Sequence, residues 1–430
     1  MFLKSKALFL VSALLVATAF PTAAHAASCQ PTKQLASSHI AQLHVEVLNA
    51  QTGQTLFAKN ETAAERSASV MKVLTAAVAL DVLGPNHQVT TSVYSDPANP
   101  GRIYLVGSGD VTLSRMPGNI TSYYAKAPKL DTLTKQISDW SLRTGITVTE
   151  VFTDSSLIGS DNEWHSTWSK RGLSDGYMAP VSALQIDAAR LTSTRNNLVW
   201  LAKRTDKPVT QAGQLFIESL NKRGIAVGLT ASEAKLPAGA SVIASVQSRP
   251  MSEWIMNMLR VSDNSLAEAL GRLSSLKAGL DGSMQSLTPL YRQVLGARGL
   301  AVSKLKIVDA SGLSNENAVS VSLVNDVLTL VNQGAGDYEV IEAGMPVSGE
   351  KGSLRTRFAT GNLKAAKGLV AAKTGYISSG YSLAGFLTAR DGTELIFSVY
   401  NLSPRASLKQ RNAMDNLVYR FYQCGANLGG

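Results

Sequence analysis

The chain has 430 residues, of which 45% are hydrophobic and 17% charged, and its formal net charge is +10. This length and apolar content predict two or more domains around a large buried core, and neither short-period repeats nor low-complexity tracts are present. The positive charges do not form Lys/Arg blocks, which argues against a nucleic-acid partner and favours loose attraction to anionic envelope polymers or a solvated basic surface.

Residues 1–26 have the features of a signal peptide. Lys4 and Lys6 precede an apolar run over 7–20, and Ala24-His25-Ala26 forms a cleavage site. The apolar run is too short to span a membrane comfortably, and no later run reaches spanning length. We therefore expect an exported protein without stable membrane insertion, in the periplasm or on the outer side of the cytoplasmic membrane or cell wall.

The sequence contains only two cysteines, Cys29 and Cys424, one near each end of the mature chain. In an oxidising compartment such a pair favours a disulfide that joins the termini. Lipidation of Cys29 is the alternative, but the preceding Ala26-Ala27-Ser28 lacks the leucine that lipidation signals usually carry. The disulfide is therefore the favoured prediction.

The mature chain begins with a predicted β-hairpin over residues 41–58. Leu43, Val45 and Val47 alternate with polar residues before a turn at Gln51-Thr52-Gly53. A hairpin so close to the amino terminus indicates that the first strands of a sheet come from this end of the chain.

A buried helix is predicted next, because an Ala/Leu/Val-rich run over 73–83 ends at Gly84-Pro85. Ser69-Val70-Met71-Lys72 opens this run, so Ser69 and Lys72 share a helix face in the first turn. The free N–H groups of a first turn favour developing negative charge. This placement suits a nucleophile beside a base, although an ordinary N-cap is the simpler interpretation of the tetrapeptide alone.

The middle of the chain, residues 88–244, has β-like segments rich in Thr, Ser, Gly and Asp, such as 102–106 and 147–152. Helical pieces at 130–142 and 211–223 interrupt them. This texture predicts an inserted α+β region of one or two subdomains.

Helical spacing resumes after the insert, with helices predicted at 254–260, 266–273 and 324–331. Closely spaced strands follow at 369–373, 382–388 and 394–400, and a closing helix at 413–422. Strands at both chain ends predict one sheet built from residues 27–87 and 245–430, a catalytic domain from which 88–244 is looped out.

Ser-x-x-Lys is uninformative by itself, since it recurs in this chain at Ser219/Lys222, Ser232/Lys235, Ser274/Lys277, Ser303/Lys306 and Ser348/Lys351. Two further motifs give it weight: Ser262-Asp263-Asn264 and Lys373-Thr374-Gly375, which is the only K-T-G in the chain. The three motifs in this order form the signature of class A β-lactamases and penicillin-binding proteins. A second S-D-N lies at 160–162, but motif order and a position between two helices favour the copy at 262.

Histidine is too scarce to supply the base. His39, His44, His87 and His165 lie near no G-x-S-x-G motif, which weakens a Ser-His-Asp interpretation and offers no zinc-ligand cluster, so no cofactor is expected. In the functional interpretation Ser69 attacks a carbonyl and Lys72 accepts its proton, its pKa lowered by burial and neighbouring cations such as Lys373. Ser262 passes a proton to the leaving amine, and Asn264 holds the substrate backbone.

The K-T-G motif supplies the remaining groups. Lys373 and Thr374 would receive a terminal carboxylate through charge and a hydroxyl donor. Gly375 would let a ligand approach the strand closely, since it has no side chain. The backbone N–H groups of Ser69 and Tyr376 would hold the oxyanion.

With these motifs the chain resembles the class C, type-4-like penicillin-binding proteins, which are serine D-alanyl-D-alanine carboxypeptidases and endopeptidases. The long stretch from Ser69 to Ser262 fits the insert of that family, whereas class A β-lactamases carry S-D-N much closer to the nucleophile. The resemblance spans nearly all of the mature chain and includes the segments 104–110, 179–184, 309–314, 345–349 and 352–357.

The resemblance implies an α+β fold: a penicillin-binding, β-lactamase-like transpeptidase domain, an antiparallel sheet with helices, that carries a large α+β insert. It also implies that an Arg from the G-S-L-x-x-R segment and an acid from the insert bind the side chain of the stem peptide. Arg357 matches the former, and Asp154 is the candidate for the latter, with Asp161 as its rival. Two positions depart from the family pattern, Tyr376 in place of the common Thr and Ser67 in place of the common Pro.

The function implied is a serine D-alanyl-D-alanine carboxypeptidase that acts on peptidoglycan stem peptides and is acylated by β-lactams, with endopeptidase activity left open. Two other functions compete with it. A β-lactamase would deacylate fast, and a catalytically silent peptidoglycan-binding or β-lactam-sensing protein would release no D-Ala. The sequence leaves the oligomeric state open.

Overall fold

The computed structural model describes residues 29–158, 164–192 and 202–429. The predicted signal peptide, the S-D-N copy at 160–162 and with it Asp161 lie outside the described residues. Within the described ranges, no helix combines the length and apolar content that a membrane crossing needs.

The strands of the described chain are short to medium in length. In chain order they are β1 (Gln42–Asn49), β2 (Thr55–Lys59), β3 (Thr90–Ser95), β4 (Arg102–Val106), β5 (Glu150–Asp154), β6 (Ser232–Glu233), β7 (Ser241–Gln247), β8 (Val370–Ile377), β9 (Gly380–Thr388) and β10 (Glu394–Leu402). The helices are α1 (Thr32–Leu35), α2 (Met71–Val82), α3 (Leu130–Thr144), α4 (Arg171–Ser174), α5 (Pro208–Lys222), α6 (Met251–Val261), α7 (Asn264–Lys277), α8 (Leu287–Ala297), α9 (Val321–Asn332), α10 (Glu339–Gly344) and α11 (Leu408–Cys424).

The first sheet joins the two ends of the chain, as the sequence predicts. Its strand order is β2-β1-β10-β9-β8, and every neighbouring pair is antiparallel. Strand β10 is buried on both faces, because its alternate residues enter two separate cores. Ile396 and Tyr400 pack into one core with α2 and α9, and Phe397 packs into the other with α11. The sheet is therefore the middle layer of three.

Helix α2 lies at the centre of the helical layer. Every residue from Met71 to Leu80 is buried, so the helix is enclosed on all sides by α6, α7, α8 and α9. The predicted helix and its end before Gly84 are confirmed. Its start differs, because Ser69 lies in a 3₁₀ turn over Ala68–Val70 that precedes the α-helix.

The second sheet is built entirely from residues 90–247. Its strand order is β6-β5-β4-β3-β7, with parallel pairing only between β4, β5 and β6, and helices α3 and α5 share its core. Strand β3 pairs with β7, so the segment enters and leaves at neighbouring strands. The division at 88 and 244 stays a prediction, which this separate sheet and core support.

A disulfide links the two ends of the described chain. Cys29 and Cys424 form a disulfide with a Cα–Cα distance of 5.4 Å and a sequence separation of 395 residues. The predicted pairing is therefore present. Because Cys424 ends α11, the bond ties the amino-terminal segment to the core on that side of the first sheet.

We expect the double variant C29S/C424S to fold with a lower stability, because a cross-link over so long a loop restricts the unfolded chain. The expected loss is about 2–5 kcal/mol in the free energy of unfolding, measured by denaturant titration. As the control, acylation of the folded variant by benzylpenicillin should match wild type, because neither cysteine belongs to the three motifs. Unchanged stability would contradict this role of the bond.

Candidate active site

Three distant segments meet at the amine of Lys72. Its Nζ donates hydrogen bonds to Ser69 Oγ at 3.0 Å, to Asn264 Oδ1 at 2.7 Å and to the Ser311 carbonyl at 2.6 Å. The Lys72 side chain is fully buried, whereas Ser69 is only half-buried. The structure thus gives one reachable hydroxyl a buried amine as its immediate neighbour.

Two glycines allow the surroundings to close on the Ser69 turn. A Cβ at Gly312 would lie 1.9 Å from the Ala68 carbonyl oxygen, and a Cβ at Gly375 would lie 2.1 Å from Ser382 Oγ and 2.9 Å from Ser69 N. The expected reason for Gly375 was close approach of a ligand. The structure adds another, because strand β8 itself presses against the backbone of Ser69.

The S-D-N residues form the link between α6 and α7. Ser262 ends α6 in a left-handed conformation with φ +61°, and its Oγ accepts a hydrogen bond from Lys373 Nζ at 2.8 Å. Asn264 begins α7, and its Nδ2 donates to the carbonyl of Tyr177 at 2.8 Å. This loop therefore places one residue on each of the two lysines.

Strand β8 carries the K-T-G residues. Lys373 is fully buried and also donates from Nζ to the Thr374 carbonyl at 2.6 Å. The Thr374 hydroxyl shares a 2.6 Å hydrogen bond with Ser353 Oγ. Both hydroxyls line the cleft, so they face a ligand together.

Burial controls the charge on both amines. It lowers the pKa of Lys72 to about 8, against the opposing effect of the negative charges of Asp309, Glu268 and Asp263. It also lowers the pKa of Lys373 well below the usual value, and the positive charges of Lys72 and Arg357 act in the same direction. Since desolvation disfavours the charged form, these amines release protons more readily than exposed lysines.

Two acids behind Lys72 were missed by the sequence analysis. Glu268 Oε1 accepts from the backbone N–H of Ser311 at 2.9 Å, and Asp309 accepts from the N–H groups of Gly312 and Ser314, both at 2.6 Å. These bonds turn the Ser311 carbonyl towards Lys72. Helical spacing could have indicated Glu268, because it lies one turn after Asn264 on the same face of α7.

Burial also raises the pKa of Glu268 to about 7, and the charge of Asp309 acts in the same direction. Arg272, whose Nη2 lies 3.7 Å from Glu268 Oε2, opposes the shift. The carboxyl group behind Lys72 therefore changes charge near the pH at which the amine does.

Above these groups lies an open cleft with a volume of ≈ 1060 Å³. The predicted residues in its wall are Ser69, Ser262, Asn264, Arg357, Thr374, Gly375 and Tyr376. Lys72 and Lys373 lie buried beneath them and reach Ser69 and Ser262 from below. The structure therefore gathers all three motifs at one opening.

The two residues expected to bind a substrate side chain are placed differently. Arg357 lines the cleft, with its guanidinium paired to the carboxylate of Asp415. The structure does not bring Asp154 to the cleft, since its buried carboxylate accepts from the N–H groups of Ser156 at 2.8 Å and Leu236 at 2.7 Å. Asp175, which the sequence analysis did not single out, lies in the cleft wall, 3.4 Å from Arg171.

Comparison with known proteins gives one consistent family. The sequence matches the D-Ala-D-Ala carboxypeptidase 3 (S13) family over residues 32–198 and 192–421. It is 31% identical over 395 residues to a carboxypeptidase of Mycobacterium tuberculosis, and 30% identical over 397 residues to Carboxypeptidase DacB of Mycolicibacterium smegmatis. Each match covers 91% of this chain and 82% of the relative.

The fold has a counterpart among solved structures. Penicillin binding protein 4 (dacB) from Haemophilus influenzae superposes with a TM-score of 0.74 at 19% sequence identity, over 91% of this chain and 99% of that one. The same protein complexed with a β-lactam gives a TM-score of 0.69. The predicted penicillin-binding, β-lactamase-like α+β fold is confirmed.

We expect Gly312→Ala to impair both stability and the site. An alanine at φ +82° costs about 1–2 kcal/mol in backbone strain, and its Cβ would also displace Ala68 next to Ser69. The matched control is Gly299→Ala, because Gly299 has φ +79° but no atom within 4 Å of the new Cβ. Only Gly312→Ala should slow acylation by benzylpenicillin, by about tenfold or more. Equal acylation rates in the two variants would contradict this packing.

Proposed function

The chain belongs to the D-Ala-D-Ala carboxypeptidase 3 (S13) family of serine peptidases, and from this membership we propose that Ser69 cleaves the terminal D-Ala from peptidoglycan stem peptides through an acyl-enzyme. The observation that carries the proposal is the position of the Lys72 amine, 3.0 Å from the Ser69 hydroxyl. Because burial lowers the pKa of this amine to about 8, a useful fraction is neutral and can act as a base.

Acylation proceeds in two stages. Neutral Lys72 takes the proton of Ser69 as Oγ attacks the carbonyl before the last D-Ala, and the backbone N–H groups of Ser69 and Tyr376 hold the oxyanion. The C–N bond then breaks, and the proton reaches the leaving amine through Ser262. Water subsequently hydrolyses the ester, which frees Ser69 and releases the shortened peptide.

The terminal carboxylate of the substrate binds at the K-T-G strand. The hydroxyls of Thr374 and Ser353 face the cleft together and can each donate to an anion. A carboxylate at this point also favours the charged form of Lys373, which burial disfavours. Asn264, fixed between Lys72 and Tyr177, is placed to hold the substrate backbone.

The side chain of the stem peptide contacts Arg357 and an acid from the insert. What supports Asp175 for the second role, in place of Asp154, is its position in the cleft wall. Residues 27–87 and 245–430 form the catalytic domain, and residues 88–244 form the insert that supplies this acid.

The protein works outside the cytoplasm, on the peptidoglycan side of the membrane, after removal of residues 1–26. β-Lactams inhibit it because they acylate Ser69 and leave slowly. Loss of Lys4 and Lys6 with residues 1–26 lowers the formal charge from +10 to +8, which still supports loose contact with anionic envelope polymers.

We expect benzylpenicillin to add one covalent adduct, located on Ser69 by intact mass and peptide mapping. Ser69→Ala should lose both the adduct and the release of D-Ala from a D-Ala-D-Ala peptide. Ser303→Ala is the matched control, since Ser303 belongs to another Ser-x-x-Lys pair and is exposed. Rapid loss of the adduct would point to a β-lactamase, and a stable adduct without D-Ala release to a silent binding protein.

We expect the acylation rate to rise with pH to a plateau, with its midpoint near the Lys72 pKa of about 8, because only the neutral amine can take the proton. Glu268→Gln keeps an acceptor for the N–H of Ser311 but removes a negative charge that raises this pKa. Its midpoint should therefore move to lower pH, as measured by stopped-flow acylation.

Glu46→Gln is the control for this shift. Glu46 is a half-buried carboxylate on β1 that accepts from Asn325 at 2.9 Å, away from Lys72. Its midpoint should stay at the wild-type pH. A Glu268→Gln midpoint that stays there as well, or moves to higher pH, would exclude Glu268 as a determinant of the Lys72 pKa.

A further inference from the structure

A buried polar cluster connects the insert to the S-D-N loop. Tyr124 Oη donates a hydrogen bond to Asp263 Oδ2 at 2.9 Å, and Arg190 Nη2 lies 3.9 Å from the same oxygen. Arg190 is fully buried, and Tyr124 and Asp263 are buried with it. Two residues of the insert thus lie against Asp263, the central residue of the S-D-N motif.

Asp263 itself takes no part in the contacts between lysines and hydroxyls. Its Oδ1 accepts from the backbone N–H of Leu266 at 3.0 Å and so caps α7, while Oδ2 faces the insert. Its two neighbours reach Lys373 and Lys72 instead. Any movement of Asp263 would therefore shift Ser262 and Asn264 relative to both amines.

The loop also needs external support. Ser262 has φ +61°, a left-handed conformation that a residue with a Cβ adopts only when its surroundings enforce it. The cap on α7 fixes one side of the loop, and the bond from Tyr124 fixes the other. A buried carboxylate that lacks a hydrogen-bond partner destabilises the fold. The loop is therefore most stable in the conformation in which both oxygens of Asp263 accept hydrogen bonds.

The insert side is strained in the same way. Asp187, Ala188 and Ala189 have φ values of +50°, +50° and +60°, three consecutive left-handed residues without a glycine. Hydrogen bonds hold them, including Asp187 N to the Leu113 carbonyl at 2.7 Å and Ala188 N to the Val111 carbonyl at 2.7 Å. Such strain persists only where the surrounding structure imposes it, and it concentrates at functional sites.

The turn at Asp187–Ala189 leads directly into Arg190 and so sets the position of that side chain. Its guanidinium carbon lies 3.5 Å from the ring centroid of Tyr123 and 5.3 Å from that of Tyr124. Burial and the nearby charge of Asp263 raise the pKa of Tyr124 well above its usual value, so its hydroxyl stays a donor. The strained turn, the two tyrosine rings and the arginine together form a rigid support for one carboxylate.

We propose that Tyr124 and Arg190 are positioning residues for the reaction, which hold Asp263 and thereby fix Ser262 and Asn264 against Lys373 and Lys72. The inference rests on the proposed function, because it assumes that these four residues carry the chemistry. The insert therefore has a second role besides substrate binding: it fixes the geometry of the S-D-N loop.

Tyr124→Phe tests this directly, because it removes only the hydroxyl and keeps the ring next to Arg190. We expect the second-order rate of acylation by benzylpenicillin to fall about 10- to 100-fold, as for a small misplacement of reacting groups. For release of D-Ala from a D-Ala-D-Ala peptide, kcat should fall while KM changes less than about twofold. If Asp263 transmits the effect, Asp263→Asn should add little to Tyr124→Phe in the double variant. The comparison is made on the plateau of the pH profile, because the charge of Asp263 also raises the Lys72 pKa.

Tyr338→Phe is the matched control. Tyr338 Oη donates to Asp81 Oδ2 at 2.8 Å, and the guanidinium of Arg298 lies 5.4 Å from its ring, so the same chemical change occurs in the same kind of cluster. That variant should lose thermal stability but acylate at the wild-type rate.

Wild-type acylation in Tyr124→Phe would overturn the inference, as would equal slowing in both variants at matched loss of Tm. Failure of wild type itself to form the Ser69 adduct would instead overturn the proposed function.

Discussion

The buried amine of Lys72 is the interaction on which the whole arrangement depends. A fully desolvated amine is costly unless hydrogen-bond acceptors surround it, and here the acceptors come from the 3₁₀ turn, from α7 and from the loop after Asp309. Those segments are far apart in the chain, so the fold must bring them to one point. The same burial that costs free energy also lowers the pKa of this amine to about 8, so the packing of the core sets the charge state of the amine.

The three-layer architecture explains why this point lies at an opening. Lys72 belongs to the central helix α2, whereas Lys373 belongs to β8, one of the two edge strands of the first sheet. The two lysines meet where the helical layer, the edge of the sheet and the insert converge. Their amines lie in the packed interior, while the hydroxyls of Ser69 and Ser262 line the cleft. Gly312 and Gly375 permit that approach, since a side chain at Gly312 would meet the Ala68 carbonyl oxygen and one at Gly375 would meet Ser382 Oγ and the backbone of Ser69.

Much of the fold and of the candidate site could be predicted from the sequence. The signals for these features are either local or come from three motifs that rarely occur together in this order. The α2 run, the strands β8 to β10, the paired cysteines and the three motifs all carried such signals. Asp309 carried no such signal, and the spacing of Glu268 from Asn264 indicates only a shared face of α7, because only tertiary packing reveals that a carboxyl group is buried beside a lysine. The position of the insert acids could not be predicted for a related reason: Asp154 ends a strand and Asp175 lies in a polar turn, and nothing in their neighbours indicates that Asp175 rather than Asp154 lines the cleft.

The pairing of β3 with β7 has a consequence for how such enzymes diversify. A segment whose first and last strands are neighbours joins its host through a narrow neck, so its far end can lengthen or shrink without disturbing the host sheet. The Tyr124 and Arg190 contacts limit that freedom. An exchange of this module between relatives would preserve turnover only if the new module brought its own support for the motif it touches.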